Sequence, residues 1–323
     1  MGTRFLEFCD NLAKRSVKCL LSIILENTMS WIQVRLNTTS DHADRLEDLL
    51  LEVGASAVTL QDAEDQPVYE PELGTTPLWN NTVVIGLFDA LTSVDHVVPF
   101  LKENAGLDPF PKHKVEIVED KDWEREWMTH FHPMQFGDRL WVCPSWKPVP
   151  DPDAVNLMLD PGLAFGTGTH PTTALCLRWL DQQANLKGKE VIDYGCGSGI
   201  LAIAALLLGA KSAIGVDLDP QALEATIENA KRNTISASKL DVFLPDDEPA
   251  EAADVVLANI LAGPLTQLAP KLAGLTKAGG SITLSGILSE QAEEIIQTYK
   301  QWFDMEPPTT FDGWAMLSGT KRA

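Results

Sequence analysis

The chain has 323 residues, with 46 Asp and Glu against 25 Lys and Arg and a formal charge of −21 at pH 7. That length suits about two domains, and a make-up of 45% hydrophobic and 22% charged residues excludes a disordered polyanion. The acidity argues against general binding to nucleic acid and favours a basic or cationic partner.

The excess is evenly divided: residues 29–150 hold 21 acids and 9 bases (−12), and residues 151–323 hold 22 and 12 (−10). Residues 1–28 differ, with Arg4, Lys14, Arg15 and Lys18 against Glu7, Asp10 and Glu26. Their apolar stretch over 19–25 is far short of the roughly 20 residues of a membrane helix. No small-residue cleavage site follows it, so secretion is not expected. Met29 immediately precedes a strand pattern, and residues 1–28 read as an extension upstream of the functional start. Cys9, Cys19, Cys143, Cys176 and Cys196 form no C-x-x-C pair, which predicts a reducing, cytoplasmic setting. No metal site is expected, because His130 and His132 lack matching carboxylate or thiol spacing.

From Trp31 the residues alternate as in a strand, and Leu46, Leu49, Leu50 and Val53 then recur at helical spacing up to Gly54. A strand over 56–60, a Pro- and Glu-rich loop, a strand over 82–88, a helix over about 93–104 and a strand over 114–118 follow. This β-α-β-β-α-β order predicts a small ferredoxin-like α+β domain. The run EDKDWEREW at 119–127 reads as a charged helix with Trp123 and Trp127 on one face. Pro144, Pro148, Pro150 and Pro152 then interrupt regular structure and suggest an inter-domain connection or a substrate-side loop.

Beyond Val155 short apolar strands alternate with helices. Strands are expected over 190–193, 212–217, 240–244, 254–259 and 281–285, helices over 200–208, 220–233, 264–275 and 289–301, and a final strand over 315–320 at or near the sheet's end. Such alternation predicts a parallel, doubly wound sheet. Ligands of such sheets sit beyond the carboxyl ends of the strands, where strand order reverses.

That place is marked by DYGCGSG from Asp193. Gly195, Gly197 and Gly199 allow a sharp turn and close approach of a ligand to the backbone. The spacing is G-x-G-x-G, with Ile200 where a dinucleotide-binding fingerprint has its last glycine, which argues against a nicotinamide dehydrogenase. Asp217 ends the next strand and can accept both ribose hydroxyls of an adenosine, while Asp193 adds negative charge that suits a cation. In register, the three features resemble the S-adenosylmethionine site of seven-strand methyltransferases.

The stretch DPGLAFGTGTHPTT at 160–173 lacks the Gly-Lys-Ser/Thr of a P-loop. It can fold over a cofactor, with Thr172 or Thr173 supplying hydrogen bonds and Phe165 an apolar wall, or serve as a simple helix start. His170 reads either as a base or as a buried, hydrogen-bonded residue. Asn259 ends the fourth strand, where its carbonyl can orient an acceptor amine; the alternative is a cap for the helix at Pro264.

With FHPM at 131–134, WVCPSW at 141–146 and ANILAGPL from Ala258 added to these motifs, the chain from Met29 onward resembles the ribosomal protein methyltransferase A family, which methylates large-subunit ribosomal protein eleven. The resemblance implies a Rossmann-like, seven-stranded doubly wound α/β catalytic domain over 155–323, a linker helix and Pro-rich connection over 119–154, and a smaller ferredoxin-like substrate-recognition domain over 29–118. It carries Thr173, Gly195, Asp217 and Asn259 over as S-adenosyl-L-methionine contacts, to which the reading of the residues adds Asp193, Gly197 and Phe165, with Asn259 also orienting the acceptor. The expected reaction is transfer of methyl groups to lysine or N-terminal amines of that ribosomal protein, by a cytoplasmic monomer with no direct need for nucleic acid or membrane. Two rivals are a non-catalytic ribosome-assembly factor and a nucleic-acid methyltransferase; the latter's Asn-Pro-Pro-aromatic motif is absent, since Asn259 precedes Ile260 and Leu261.

Overall fold

The computed structural model describes residues 31–64, 77–89, 92–118, 131–160, 168–183, 186–249 and 251–323. The extension over 1–28, the charged helix expected over 119–127, His130 and Phe165 lie outside the described residues. The described residues form two compact units, 31–118 in the first and 131–323 in the second.

In the first unit β1 (Trp31–Thr39), β2 (Ala57–Asp62), β3 (Asn81–Asp89) and β4 (His113–Val118) form an antiparallel sheet in the order β2-β3-β1-β4. Helices α1 (Ser40–Glu52) and α2 (Val97–Asn104) join its strands and give the ferredoxin-like order. The helical spacing in α1 has a packing cause: Leu46, Leu49 and Leu50 bury with Val34, Leu36, Val84 and Phe88 in one core. Gly86 of β3 lets α1 come close, because a Cβ there would stand 2.8 Å from Leu50 Cδ2.

The second unit opens with strands absent from the sequence reading. β5 (Met134–Phe136), β6 (Leu140–Cys143) and β7 (Val155–Met158) make a three-stranded sheet within residues assigned above largely to the connection. Phe136, Leu140, Val142 and Leu157 bury in the same core as Leu177 and Leu180 of α3 (Pro171–Gln182), which joins this sheet to the layers of the main sheet. Interrupted by Gly137, Pro144, Pro148, Pro150 and Pro152, these three short strands show too little alternation to be read from sequence.

The main sheet contains β8 (Glu190–Tyr194), β9 (Ser212–Val216), β10 (Leu240–Phe243), β11 (Ala253–Asn259), β12 (Thr276–Leu288), β13 (Phe303–Met305), β14 (Thr309–Phe311) and β15 (Trp314–Lys321). Its order is β10-β9-β8-β11-β12-β15-β13, with β14 paired to β15. β8 to β12 are mutually parallel, whereas β15 runs antiparallel between β12 and β13. The parallel strands are joined by α4 (Ile200–Leu207), α5 (Pro220–Arg232) and α6 (Ala262–Gly274), and α7 (Ala292–Tyr299) follows β12. Apolar layers cover both faces, which is why β8 and β11 read as near-continuous apolar runs. Strand order reverses between β8 and β11. Among the described residues no helix is long and apolar enough to cross a membrane.

One buried carboxylate fixes α3 to the small sheet. Asp181, 6% exposed, accepts from the Asp138 amide at 2.7 Å and the Arg139 amide at 3.3 Å, while the Arg139 guanidinium lies 3.4 Å from its Oδ1 and also bonds the Asp181 carbonyl. Gly137 has φ +83°, and a Cβ there would collide with the same carboxylate. Asp181→Ala leaves two amides and a guanidinium without their acceptor, so it is expected to cost about 3 kcal/mol in urea denaturation. A loss below about 1 kcal/mol would show that water replaces the carboxylate.

Candidate functional site

The turn from β8 into α4 is built from Gly195, Gly197 and Gly199, with φ of +79°, +53° and +76°. Space as well as conformation demands glycine: a Cβ on Gly195 would collide with Ile260, and one on Gly199 would stand 2.7 Å from Thr226. From α5, Thr226 Oγ1 donates to the Gly197 carbonyl at 3.0 Å and Asn229 Nδ2 to the Ser198 carbonyl at 2.8 Å. From beyond β9, Asp217 Oδ2 accepts from the Gly197 amide at 2.8 Å and Oδ1 from the Asp219 amide at 3.0 Å. Each oxygen of Asp217 keeps capacity for a further hydrogen bond.

Asp193 is 1% exposed. Its Oδ2 accepts from the Ala202 amide at 3.0 Å, and its Oδ1 has no partner. Burial, reinforced by Asp217, pushes its carboxyl up to about 7 against the bond from Ala202. The fixed negative charge expected from sequence is therefore conditional on a nearby cation.

Across the turn, His170 caps α3: its Nδ1 accepts from the Thr172 amide at 3.4 Å and stands 2.7 Å from Thr172 Oγ1. Its ring meets Trp314 edge-on at 4.7 Å, and burial lowers its pKa, so it is neutral at pH 7. Of the two readings offered for His170, the structure shows the hydrogen-bonded cap. Asn259 does not cap α6, whose N-cap is Leu261 with no side-chain cap bond. Instead its Nδ2 donates to Thr173 Oγ1 at 3.2 Å, and its buried Oδ1 has no partner.

These groups line one cavity of about 540 Å³ at the carboxyl ends of β8, β9 and β11, the position expected for a ligand. Thr173, Asp193, Gly195, Gly197, Asp217 and Asn259 all reach it. Trp314 and Gly286 line it as well and were missed in the sequence. For Trp314 a usable signal was Asp312-Gly313, a two-residue hairpin turn with φ of +52° and +79° that places it opposite Phe311. Gly286 was an isolated glycine in a strand pattern; it marks the register shift between β12 and β15, and a Cβ there would strike the Ile260 backbone.

The described lining includes the carboxyls of Asp193 and Asp217 but no Lys or Arg. With two unpartnered buried oxygens and a largely apolar wall, it suits a ligand that carries positive charge and donates hydrogen bonds. Among the described residues no group of three or more His, Cys, Asp and Glu could hold a metal ion.

The family model described as ribosomal protein L11 methyltransferase (PrmA) matches residues 30–322. The chain is 57% identical over 297 residues to the ribosomal protein L11 methyltransferase of Marinomonas sp. (strain MWYL1), spanning 91% of this chain and 100% of that protein. It is 58% identical over 294 residues to the protein of the same name from Ectopseudomonas mendocina (strain ymp), with the same coverage. The crystal structure of ribosomal protein L11 methylase from Lactobacillus delbrueckii subsp. bulgaricus is 33% identical, with a TM-score of 0.54, and the match covers 60% of this chain and 100% of that one.

The burial of Asp193 has a measurable effect on stability. Its pKa in the folded chain exceeds the unfolded carboxylate value of about 3.9, so its contribution is fully present below that pH and is lost as pH rises through about 7. Asp193→Asn is expected to raise the Tm of the ligand-free protein by several degrees at pH 8 and by much less at pH 5. An equal shift at both pH values would contradict the protonated, buried carboxyl.

Proposed function

Since the chain belongs to the ribosomal protein L11 methyltransferase family, we propose that the cavity above β8, β9 and β11 is where its methyl transfer takes place and that the acceptors are lysine or N-terminal amines. The enzyme uses S-adenosyl-L-methionine to methylate ribosomal protein L11. When bound, this donor supplies a methyl group activated by a sulfonium. The observation that carries the site assignment is the pair of unpartnered buried oxygens, Asp193 Oδ1 and Asn259 Oδ1, in one cavity whose described lining has no Lys or Arg.

Each residue then has a role its surroundings support. Asp217, held by two backbone amides, accepts from ribose hydroxyls. Gly195 and Gly197 admit the ligand against the backbone. Asp193 compensates positive charge where water is excluded. Thr173 holds the Asn259 amide nitrogen, which leaves the Asn259 carbonyl oxygen to accept from the incoming amine and orient its lone pair. This is catalysis by proximity and orientation. Lysine and N-terminal amines have ordinary pKa values of about 10.4 and 7.7–8.0, so the acceptor sheds a proton before transfer. His170, occupied at the helix cap, is not required as its base. Phe165, proposed as an apolar wall, lies outside the described residues.

The first unit is proposed to dock ribosomal protein L11, and the charge of −21 suits a basic partner. The proposal extends to a cytoplasmic monomer that needs no nucleic acid. A non-catalytic assembly factor is set aside by the family, and a nucleic-acid methyltransferase by its near-full-length relatives, which are named for a protein substrate.

Incubation of purified chain and ribosomal protein L11 with S-adenosyl-L-methionine should raise the mass of L11 in 14 Da steps, located on amines by peptide mapping; an unchanged mass would overturn the reading. Asn259→Ala is expected to lower kcat about a hundredfold and Thr173→Val about tenfold. Wild-type rates in both variants would remove Asn259 from the acceptor site. Raising salt from 50 to 500 mM should increase KM for L11 much more than Kd for the donor; equal changes would mean the acidity does not steer the substrate.

A further inference from the structure

We propose that Asp193 makes the cavity sense the charge of its ligand: S-adenosyl-L-methionine binds with release of the Asp193 proton, whereas its demethylated product leaves that proton in place. The inference rests on the reading that this cavity holds the donor. Donor and product differ by one methyl group and one positive charge.

The argument begins with geometry. Asp193 lines the cavity, is 1% exposed, and has one oxygen bonded to the Ala202 amide and one with no partner. A carboxylate in that position has lost its hydration and gained a single hydrogen bond, so it is stable only beside a positive charge. Among the described residues that line the cavity there is no Lys or Arg to supply one. The titratable groups facing Asp193 are Asp217 beyond β9, Cys196 of the glycine turn and Cys176 of α3; Asp217 repels it, and both thiols, pushed up to about 12, are neutral. Helix α4, which donates the Ala202 amide, carries no titratable side chain. His170 at the start of α3 lines the cavity and is kept neutral by burial. Lys271 is engaged behind the Tyr194 ring by Glu248 at 2.7 Å and by the Pro245 carbonyl at 3.2 Å.

A cationic ligand therefore supplies the missing counter-charge. Its arrival favours the ionised carboxyl, and the proton leaves to solvent. A neutral thioether gives no such compensation, so the carboxyl keeps its proton, or regains it once the methyl has gone. Burial already holds this group near pH 7, so the exchange falls within the physiological range. Each turnover would then return the cavity from an ionised state that favours the charged donor to a protonated state that no longer favours it over the neutral product.

The test is isothermal titration of the full chain with S-adenosyl-L-methionine and with S-adenosyl-L-homocysteine at pH 6, 7 and 8, in phosphate and in imidazole, which both buffer over this range and differ in ionisation heat. Asp193→Asn serves as reference, because it keeps the shape of the protonated group and cancels protons exchanged by the ligand's own amine. Relative to that variant, the wild type should release close to one proton per donor at pH 6 and about half at pH 7, and essentially none with the product at either pH. The wild-type advantage in donor Kd should shrink about tenfold from pH 8 to pH 6, while the product's changes less than twofold. Equal proton release with both ligands, or identical release by wild type and Asp193→Asn, overturns the inference. Asp217→Ala separates that failure from failure of the site reading: donor binding unchanged in both Asp217→Ala and Asp193→Asn means the donor binds elsewhere.

Discussion

A parallel strand can turn directly into a helix only if the intervening peptide groups find partners outside the strand and the helix, and the turn after β8 finds them on two sides. Its carbonyls at Gly197 and Ser198 accept from Thr226 and Asn229 of α5, and its Gly197 amide donates to Asp217. The same three bonds fix the distance from β8 to α5 and hold the Asp217 carboxylate at the cavity. Gly195 and Gly286 bring the turn and β12 close to Ile260, the residue after Asn259. The places of Asp193, Asp217 and Asn259 thus follow from how one short turn satisfies its backbone.

Much of this architecture was legible in the sequence because burial on both sheet faces leaves a strong trace. The apolar runs of β8, β9, β11 and β12, the amphipathic spacing in α1 and the proline openings of α3 and α5 each report a local physical demand. The order of the glycines excluded a dinucleotide turn without reference to three dimensions. β5, β6, β7, β13 and β14 were not legible, since such short strands, set among glycines and prolines, owe their place to packing in the sheet more than to their own alternation. The antiparallel placement of β15 inside β13 has the same origin.

The site shows a similar division. Residue types and spacing pointed to Thr173, Asp193, Gly195, Gly197, Asp217 and Asn259, and the structure gathers all six around one cavity. Their states were beyond reach. That Asn259 has one amide atom engaged and the other unpartnered depends on Thr173, which is 86 positions away in the chain. The protonation of Asp193 depends on burial beneath α4 and on the nearness of Asp217. Sequence supplies the chemical groups, whereas the dielectric and the partners that decide their charge come from packing.

Helix α3 runs from His170 at its cap to Asp181, whose carboxylate grips the turn between β5 and β6. Its 12 residues span about 18 Å. A helix held at both ends behaves as a strut, and this one bears Thr173, the anchor of Asn259, within its first turn. The small sheet is therefore a foundation for the Asn259 amide as well as a cover for the core. Residues 137–139 are thereby tied along the strut axis to Thr173, so the position of the Asn259 amide at the cavity depends partly on a hairpin about 18 Å away.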